Sequence, residues 1–335
     1  MSLRVVFLGT SCNYSLVPLH RIAEAHNVVA IVESGERNCS DDHLSFPGKV
    51  MESVYALTGQ PSLWWYARNR RLPYFYFCRG YEKELAAFMQ QLAPDLGCIA
   101  SFNHLLPAEI IHIPRHGIIN FHPSLLPKYR GPNVWFWFYH EMEREGGATI
   151  HFIDEKEDSG DILKQASFPI RLGMAPQELR QRTIELGSEL LSATLTEIEN
   201  DTARPAPQHH LQCPQRGRLI KPGEQLFPWS EWDIERVYHF LAGAHPWYRA
   251  LQGKHGVLGN LPWKAVGYNK CTIAAPPGRV KLDQGGAYFA HPQGKVRLQL
   301  AVSGVRIAFW LIMAAMLIFA WLLCHVISSP PFCGG

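Results

Sequence analysis

Short runs of apolar, often β-branched residues recur along the first half of the chain, at positions 5–8, 27–32, 74–77, 96–100, 117–121 and 148–153. Each has the length of a strand, and stretches with helical spacing separate them, such as 81–92 between Gly80 and Pro94. This alternation predicts parallel βαβ units, giving an α/β, Rossmann-like domain whose parallel sheet is covered by helices on both faces. Residues 175–198 place Ile184, Leu191, Leu195 and Ile198 on one helix face and close that domain near residue 200. Residues 201–215 are polar and proline-rich and read as an exposed linker. From 216 to 303 the pattern changes to one amphipathic stretch, 232–242, followed by short runs punctuated by Gly, Pro and Asn. Several short strands at such spacing predict a small β-barrel of OB-like type.

Residues 307–327, IAFWLIMAAMLIFAWLLCHVI, show a third pattern, with no formal charge and no polar face. About 20 such residues at ~1.5 Å rise cross a bilayer core of roughly 30 Å, which predicts a transmembrane helix over 305–328. Lys295, Arg297 and Arg306 precede the run and no basic residue follows it, so the cation bias puts the preceding domains on the cytoplasmic side of a membrane anchor. The N-terminal MSLRVVFLGT lacks the long apolar region of a signal peptide and reads as a first strand.

Composition adds little to this. Charged residues make up 18% of the 335, below the roughly 25% of an average soluble protein, as the apolar run requires. Eight cysteines without any CxxC pair point to reduced thiols, not to a disulfide framework or a zinc site. His209, His210 and Cys213 lack a second ligand pair, and no metal site is expected. The net charge of +3 neither demands nor excludes nucleic acid.

The candidate chemistry lies in INFHPSLLPKYRGPN, residues 119–133. Asn120 is the polar anomaly among Ile118, Ile119 and Phe121, and the period of two puts Asn120 and His122 on the same side. They stand at a strand's carboxyl end, where open α/β sheets place their ligands. An amide can donate to a developing oxyanion, and an imidazole can move a proton near pH 7. The loop that follows is stiffened by prolines, bent at Gly131, and carries Lys128 and Arg130 to meet anionic groups. A second segment, IHFIDEKEDSGDIL at 150–163, supplies an acidic turn. A carboxylate there could approach the histidine, and spacing alone leaves Asp154, Glu155, Glu157, Asp158 and Asp161 all open.

INFHPSLLPKYRGPN followed by GATIHFIDEKEDSGDIL resembles the formyltransferase family that uses 10-formyltetrahydrofolate. The patterns N-x-H-x-S-L-L-P and D-S-G-D put that family's catalytic residues on Asn120, His122 and Asp158. The resemblance implies that Asn120 donates to the formyl oxygen, that His122 stabilises that oxygen or relays a proton, and that Asp158 orients His122. It also implies a folate pocket near Phe102, Leu105, Leu106 and Ile111, acceptor contacts from Ser124, Lys128 and Arg130, and no metal. The expected partners are a folate donor and an amine acceptor, either a nucleotide- or lipid-linked amino sugar or, alternatively, initiator methionyl-tRNA. A catalytically silent, membrane-anchored binding protein is a further alternative. The segment ESGERNCSDDHLSFPGK, with Glu33, Glu36, Asp41 and Asp42 against Arg37 and Lys49, disfavours docking of a polyphosphate such as tRNA.

Overall fold

The apolar run behind Arg4 forms β1 (Arg4–Gly9), buried at every position after the first. The computed structural model describes residues 2–35, 62–208, 215–221, 228–244, 261–273 and 275–301. In it β1 joins β2 (Asn27–Ser34), β3 (Tyr74–Phe77), β4 (Leu96–Ala100), β5 (Ile118–His122), β6 (Glu145–Phe152) and β7 (Ile162–Pro169). They form a seven-stranded sheet in the order β3-β2-β1-β4-β5-β6-β7. The described helices of this unit are α1 (Asn13–Ala25), α2 (Leu63–Arg70), α3 (Glu82–Leu92), α4 (Ala108–Ile111), α5 (Val134–His140) and α6 (Pro176–Glu199).

Successive residues of a strand face opposite layers, and the two cores follow that alternation. Val5, Phe7, Ile119 and Phe121 pack with Leu19 and Ile22 of α1 and with Leu191 and Leu195 of α6. Val6, Leu8 and Ile118 pack with Leu85 and Met89 of α3 and Ile110 of α4. Each fully buried side chain of this size stabilises the fold by about 1.5–3 kcal/mol. Helix α6 crosses close to β5 because Gly187 has no side chain; a Cβ there would lie 2.0 Å from the Phe121 ring.

The sheet is mixed, which corrects the expectation of a wholly parallel one. Strands β1 to β5 pair in parallel, but β6 runs antiparallel to β5, and β7 antiparallel to β6. Residues 123–144 leave β5 and bring the chain back at the same end of the sheet, so no crossover is needed. This reversal decides the site, since it sets β6 directly beside Asn120 and His122.

Two compact units divide the chain at 224/225. The polar stretch expected to be an exposed linker therefore belongs to the first unit, and where it is described it packs there. Ala206 pairs with Ile162 of β7, and Gln208 is fully buried. The second unit has α7 (Ile234–Gly243), capped by the Asp233 carboxylate accepting from the Arg236 N–H at 2.7 Å. It also has β8 (Trp263–Lys270), β9 (Val280–Asp283), β10 (Gly286–His291) and β11 (Gly294–Leu300), ordered β8-β11-β10-β9. Among the described residues this is an open antiparallel sheet with β8 and β9 at its edges, and the predicted barrel closure is not seen there.

The predicted transmembrane helix and the cluster of His209, His210 and Cys213 lie outside the described residues. No described helix is long and apolar enough to cross a membrane. Cys12, Cys98 and Cys271 are free thiols, whereas Cys78 is disulfide-bonded, a departure from the expectation of uniformly reduced cysteines.

Candidate active site

The proline-rich loop after β5 is held from below by β6 and β7. The Thr149 hydroxyl donates to the Ser124 carbonyl at 2.6 Å and accepts from the Leu126 N–H at 3.1 Å. Gln165 adds donation to the Leu126 carbonyl and to Thr149. Satisfying buried backbone groups in this way fixes a loop that has no regular structure of its own. Its Leu126–Pro127 bond is cis, and Tyr129 takes a left-handed φ of 60°.

That fixed loop presents the Tyr129 carbonyl to His122. A carbonyl only accepts, so His122 Nε2 carries a hydrogen and donates it at 3.0 Å, which turns Nδ1 toward Asp158 Oδ2 at 3.5 Å. The same carboxylate oxygen accepts the Gly131 N–H at 2.8 Å. The other oxygen, Oδ1, faces Asn120, whose Nδ2 lies 3.4 Å away. Burial alone pushes the Asp158 carboxyl up. The His122 and His151 imidazoles, the Gly131 N–H and the Arg130 guanidinium outweigh it and hold the group below its ordinary range. Of the five acids left open by spacing, Asp158 is the one brought to the pair. Asp154 instead accepts from Ser159 and the Lys156 N–H, and Glu157 pairs with Arg216.

Two residues in contact with this cluster carried no recognised signal in the sequence. His151 is fully buried on β6, directly across the register from Asn120. Its Nδ1–H donates to the Phe152 carbonyl at 2.7 Å, so Nε2 is free to accept the Asn120 amide at 3.1 Å. The antiparallel pairing of β6 would have pointed to it. Gln208 lies in the polar, proline-rich stretch. Its amide donates to the carbonyls of Asp158 at 3.1 Å and Gly160 at 2.6 Å and accepts from Arg130 at 2.7 Å.

Burial pushes His151 from its ordinary 6.5 down to about 4, with the Asp158 carboxylate only partly opposing it. Between those values the unfolded chain binds a proton at this residue and the folded chain does not, so acidification favours unfolding. Stability is expected to rise by about 3 kcal/mol from pH 4 to 6.5 through this group, the depressed Asp158 adding a further loss in stronger acid. Urea unfolding across that range checks it, and His151→Gln should flatten the slope; an unchanged slope would show that His151 does not set it.

The other predicted site residues separate into two groups. Phe102 is half-buried, stacked on Phe77 at 5.8 Å between centroids, and Leu105 is 67% exposed in the segment between β4 and α4. Leu106 and Ile111 belong to the core with α3 and serve packing. Ser124, expected at the acceptor, is fully buried and donates its hydroxyl to the Lys128 carbonyl at 2.7 Å, an internal loop bond. Lys128 is near Glu143 at 3.6 Å, and Arg130 is turned to Gln208. Glu33, counted with the acidic segment after β2, is buried instead and accepts hydroxyls from Ser11 and Tyr74. Among the described residues no group of His, Cys, Asp and Glu is arranged to hold a metal ion.

Residues 3–195 match the family described as Formyl transferase. The methionyl-tRNA formyltransferase of Pelotomaculum thermopropionicum is 27% identical over 279 residues, 83% of each chain. That of Roseiflexus sp. is 30% identical over 280 residues, 83% of this chain and 81% of the relative. Among solved structures, an N-formyltransferase from Helicobacter canadensis, in complex with folinic acid and dTDP-3-aminofucose, shares the fold. It has a TM-score of 0.59 at 16% identity, covering 89% of this chain and 99% of its own. With Asn120, His122 and Asp158 gathered at the carboxyl end of β5 and the match spanning the whole sheet that carries them, the chain belongs to the formyl transferase family.

Proposed function

We propose that the chain transfers the formyl group of 10-formyltetrahydrofolate to a primary amine of an amino sugar carried on a nucleotide or lipid. The observation that carries the chemistry is the pairing of Asn120 Nδ2 with Asp158 Oδ1 at 3.4 Å, a donor and a base aimed at one point. The amine nitrogen attacks the formyl carbon, and the carbonyl electron pair moves to oxygen. That oxygen takes the Asn120 hydrogen now spent on a long contact with Asp158. Asp158 Oδ1 accepts the amine proton as the nitrogen becomes cationic, because Oδ2 is already engaged by His122 and Gly131. Collapse breaks the bond between carbon and the folate nitrogen, which takes the proton back from Asp158. His151 accepts from the amide and holds it in place, and His122 pairs with the acid when Nδ1 also carries a proton. Both His122 nitrogens face partners within the protein, Nε2 the Tyr129 carbonyl and Nδ1 the Asp158 carboxylate, so the imidazole is given no proton-transfer step here.

The sugar reading rests on the Helicobacter canadensis structure, whose ligands include dTDP-3-aminofucose, and on residues 36–49, where Glu36, Asp41 and Asp42 outnumber Arg37 and Lys49. The names of the Pelotomaculum and Roseiflexus relatives favour a second reading, initiator methionyl-tRNA as acceptor. The test is release of tetrahydrofolate from the formyl donor with three acceptors: a nucleotide-linked amino sugar, a lipid-linked amino sugar and charged initiator tRNA. Turnover with a sugar amine is expected. Turnover with the tRNA alone would replace the sugar reading by the second, and no turnover with any amine would remove the proposed reaction.

A further inference from the structure

We infer that Gln208 is a positioning residue for formyl transfer, acting through Asp158, an assignment that rests on the function proposed above. The two halves of the site come from separate segments, the loop after β5 and the turn between β6 and β7. The Asp158 carboxylate joins them, accepting the Gly131 N–H at 2.8 Å, but Asp158 itself sits at a left-handed φ of 49°, which costs a non-glycine residue and needs outside support. The described parts of 206–218 supply that support by crossing both. Ala206 exchanges two backbone bonds with Ile162, at 2.8 and 2.9 Å. The Gln215 carbonyl accepts from the Tyr129 N–H at 2.7 Å, and Gly217 bonds Arg130 and Asn133 through its backbone. Arg216 pairs with Glu157, and Arg218 stacks over Trp137 at 4.4 Å.

The Gln208 side chain touches both halves at once. Its two amide hydrogens go to the carbonyls of Asp158 and Gly160, and its oxygen takes Arg130, so three of its bonding positions close a bridge between the acidic turn and the loop. It is fully buried, and water cannot replace these bonds without opening the strap. Arg130 is committed by the same contact. Its Nε is buried without a hydrogen-bond partner among the described residues, so the bond to Gln208 is the described side-chain hydrogen bond of this guanidinium. Through the Asp158 carbonyl, Gln208 fixes the backbone from which the carboxylate reaches His122 Nδ1 and the Gly131 N–H.

The test compares Gln208→Ala, Asp158→Asn and the double variant in the full-length protein, reading kcat, the KM for the formyl donor and the thermal transition. Gln208→Ala is expected to lower kcat about tenfold to a hundredfold with the donor KM within about twofold, as misplacement of a reacting group does. In the Asp158→Asn background the same change should cost less than about twofold, because a positioning residue has nothing left to position. Full additive loss in the double variant, or a kcat for Gln208→Ala within threefold of wild type, would overturn the assignment. If Asp158→Asn itself keeps the wild-type rate, the proposed mechanism fails and not only the role of Gln208. Should Gln208→Ala melt without cooperativity, Gln208→Asn, with its amide set back by one methylene, serves for the same comparison and the same criteria.

Discussion

Asn120→Ala is expected to slow formyl transfer roughly a hundredfold to a thousandfold while leaving donor affinity nearly unchanged, the usual cost of removing one oxyanion donor. The reason is geometric. The amide stands at the end of β5 with one hydrogen fixed on His151 and the other on a long contact to Asp158, so only the second can be traded for an oxygen that becomes negative. The loss should therefore fall on kcat, since the interaction forms fully only in the transition state. Truncation leaves His151 Nε2 without a donor inside a buried strand, so a modest drop in thermal stability is expected alongside. Steady-state kinetics with a separate measurement of donor binding checks the split, and a large rise in donor KM at constant kcat would show that Asn120 serves binding instead.

The second large effect is expected at Gly160, within the D-S-G-D pattern. The acidic turn folds back over β5 only because Gly160 lies against the end of β6. A Cβ there would sit 2.0 Å from the Phe152 carbonyl oxygen and 2.8 Å from its carbon. Both neighbours are backbone and cannot rotate away. Gly160→Ala should thus shift the turn, weaken the 2.6 Å bond from Gln208 and carry Asp158 off His122. A loss of about 3 kcal/mol or more in urea unfolding is expected, together with loss of turnover. A variant of wild-type stability that still turns over would mean that the turn can be held by other contacts.

The parts legible in the sequence were those set by local periodicity. Short apolar runs of strand length located β1 to β6 to within a few residues, and the period-two rule placed Asn120 and His122 on one side of β5. Strand β7 escaped because it is a sheet edge. Lys164, Gln165 and Ser167 interrupt its apolar pattern, and pairing with β6 supplies what its own sequence lacks. Helix α1 contains Pro18 and has no side-chain cap at Cys12, so it owes its existence to Leu19 and Ile22 packing on the sheet. Helix α5, VWFWFYH, is apolar nearly all round and shows no amphipathic period.

The site was legible only as far as neighbours in the chain determine it. Choosing Asp158 among five acids required the turn to fold back along the sheet, a consequence of the β5–β6 reversal and of the room left at Gly160. The family pattern pointed to Asp158 and implied that it orients His122. The structure adds the Tyr129 carbonyl, which takes His122 Nε2 and leaves Nδ1 facing the acid. The contribution of Gln208 depends on contacts 50 and 78 residues away in sequence, which no local pattern encodes.

The central claim is that one amide and one carboxylate, aimed at a common point, carry the transfer. Its most direct test is the single-turnover rate, at saturating donor and acceptor, of Asn120→Ala, Asp158→Asn and their combination. Each single change should lower the rate by about a hundredfold or more, and the pair should be little slower than the worse single, as groups acting as one unit behave. Wild-type rates in either single variant, or losses that multiply in full, would contradict the shared role assigned to Asn120 and Asp158.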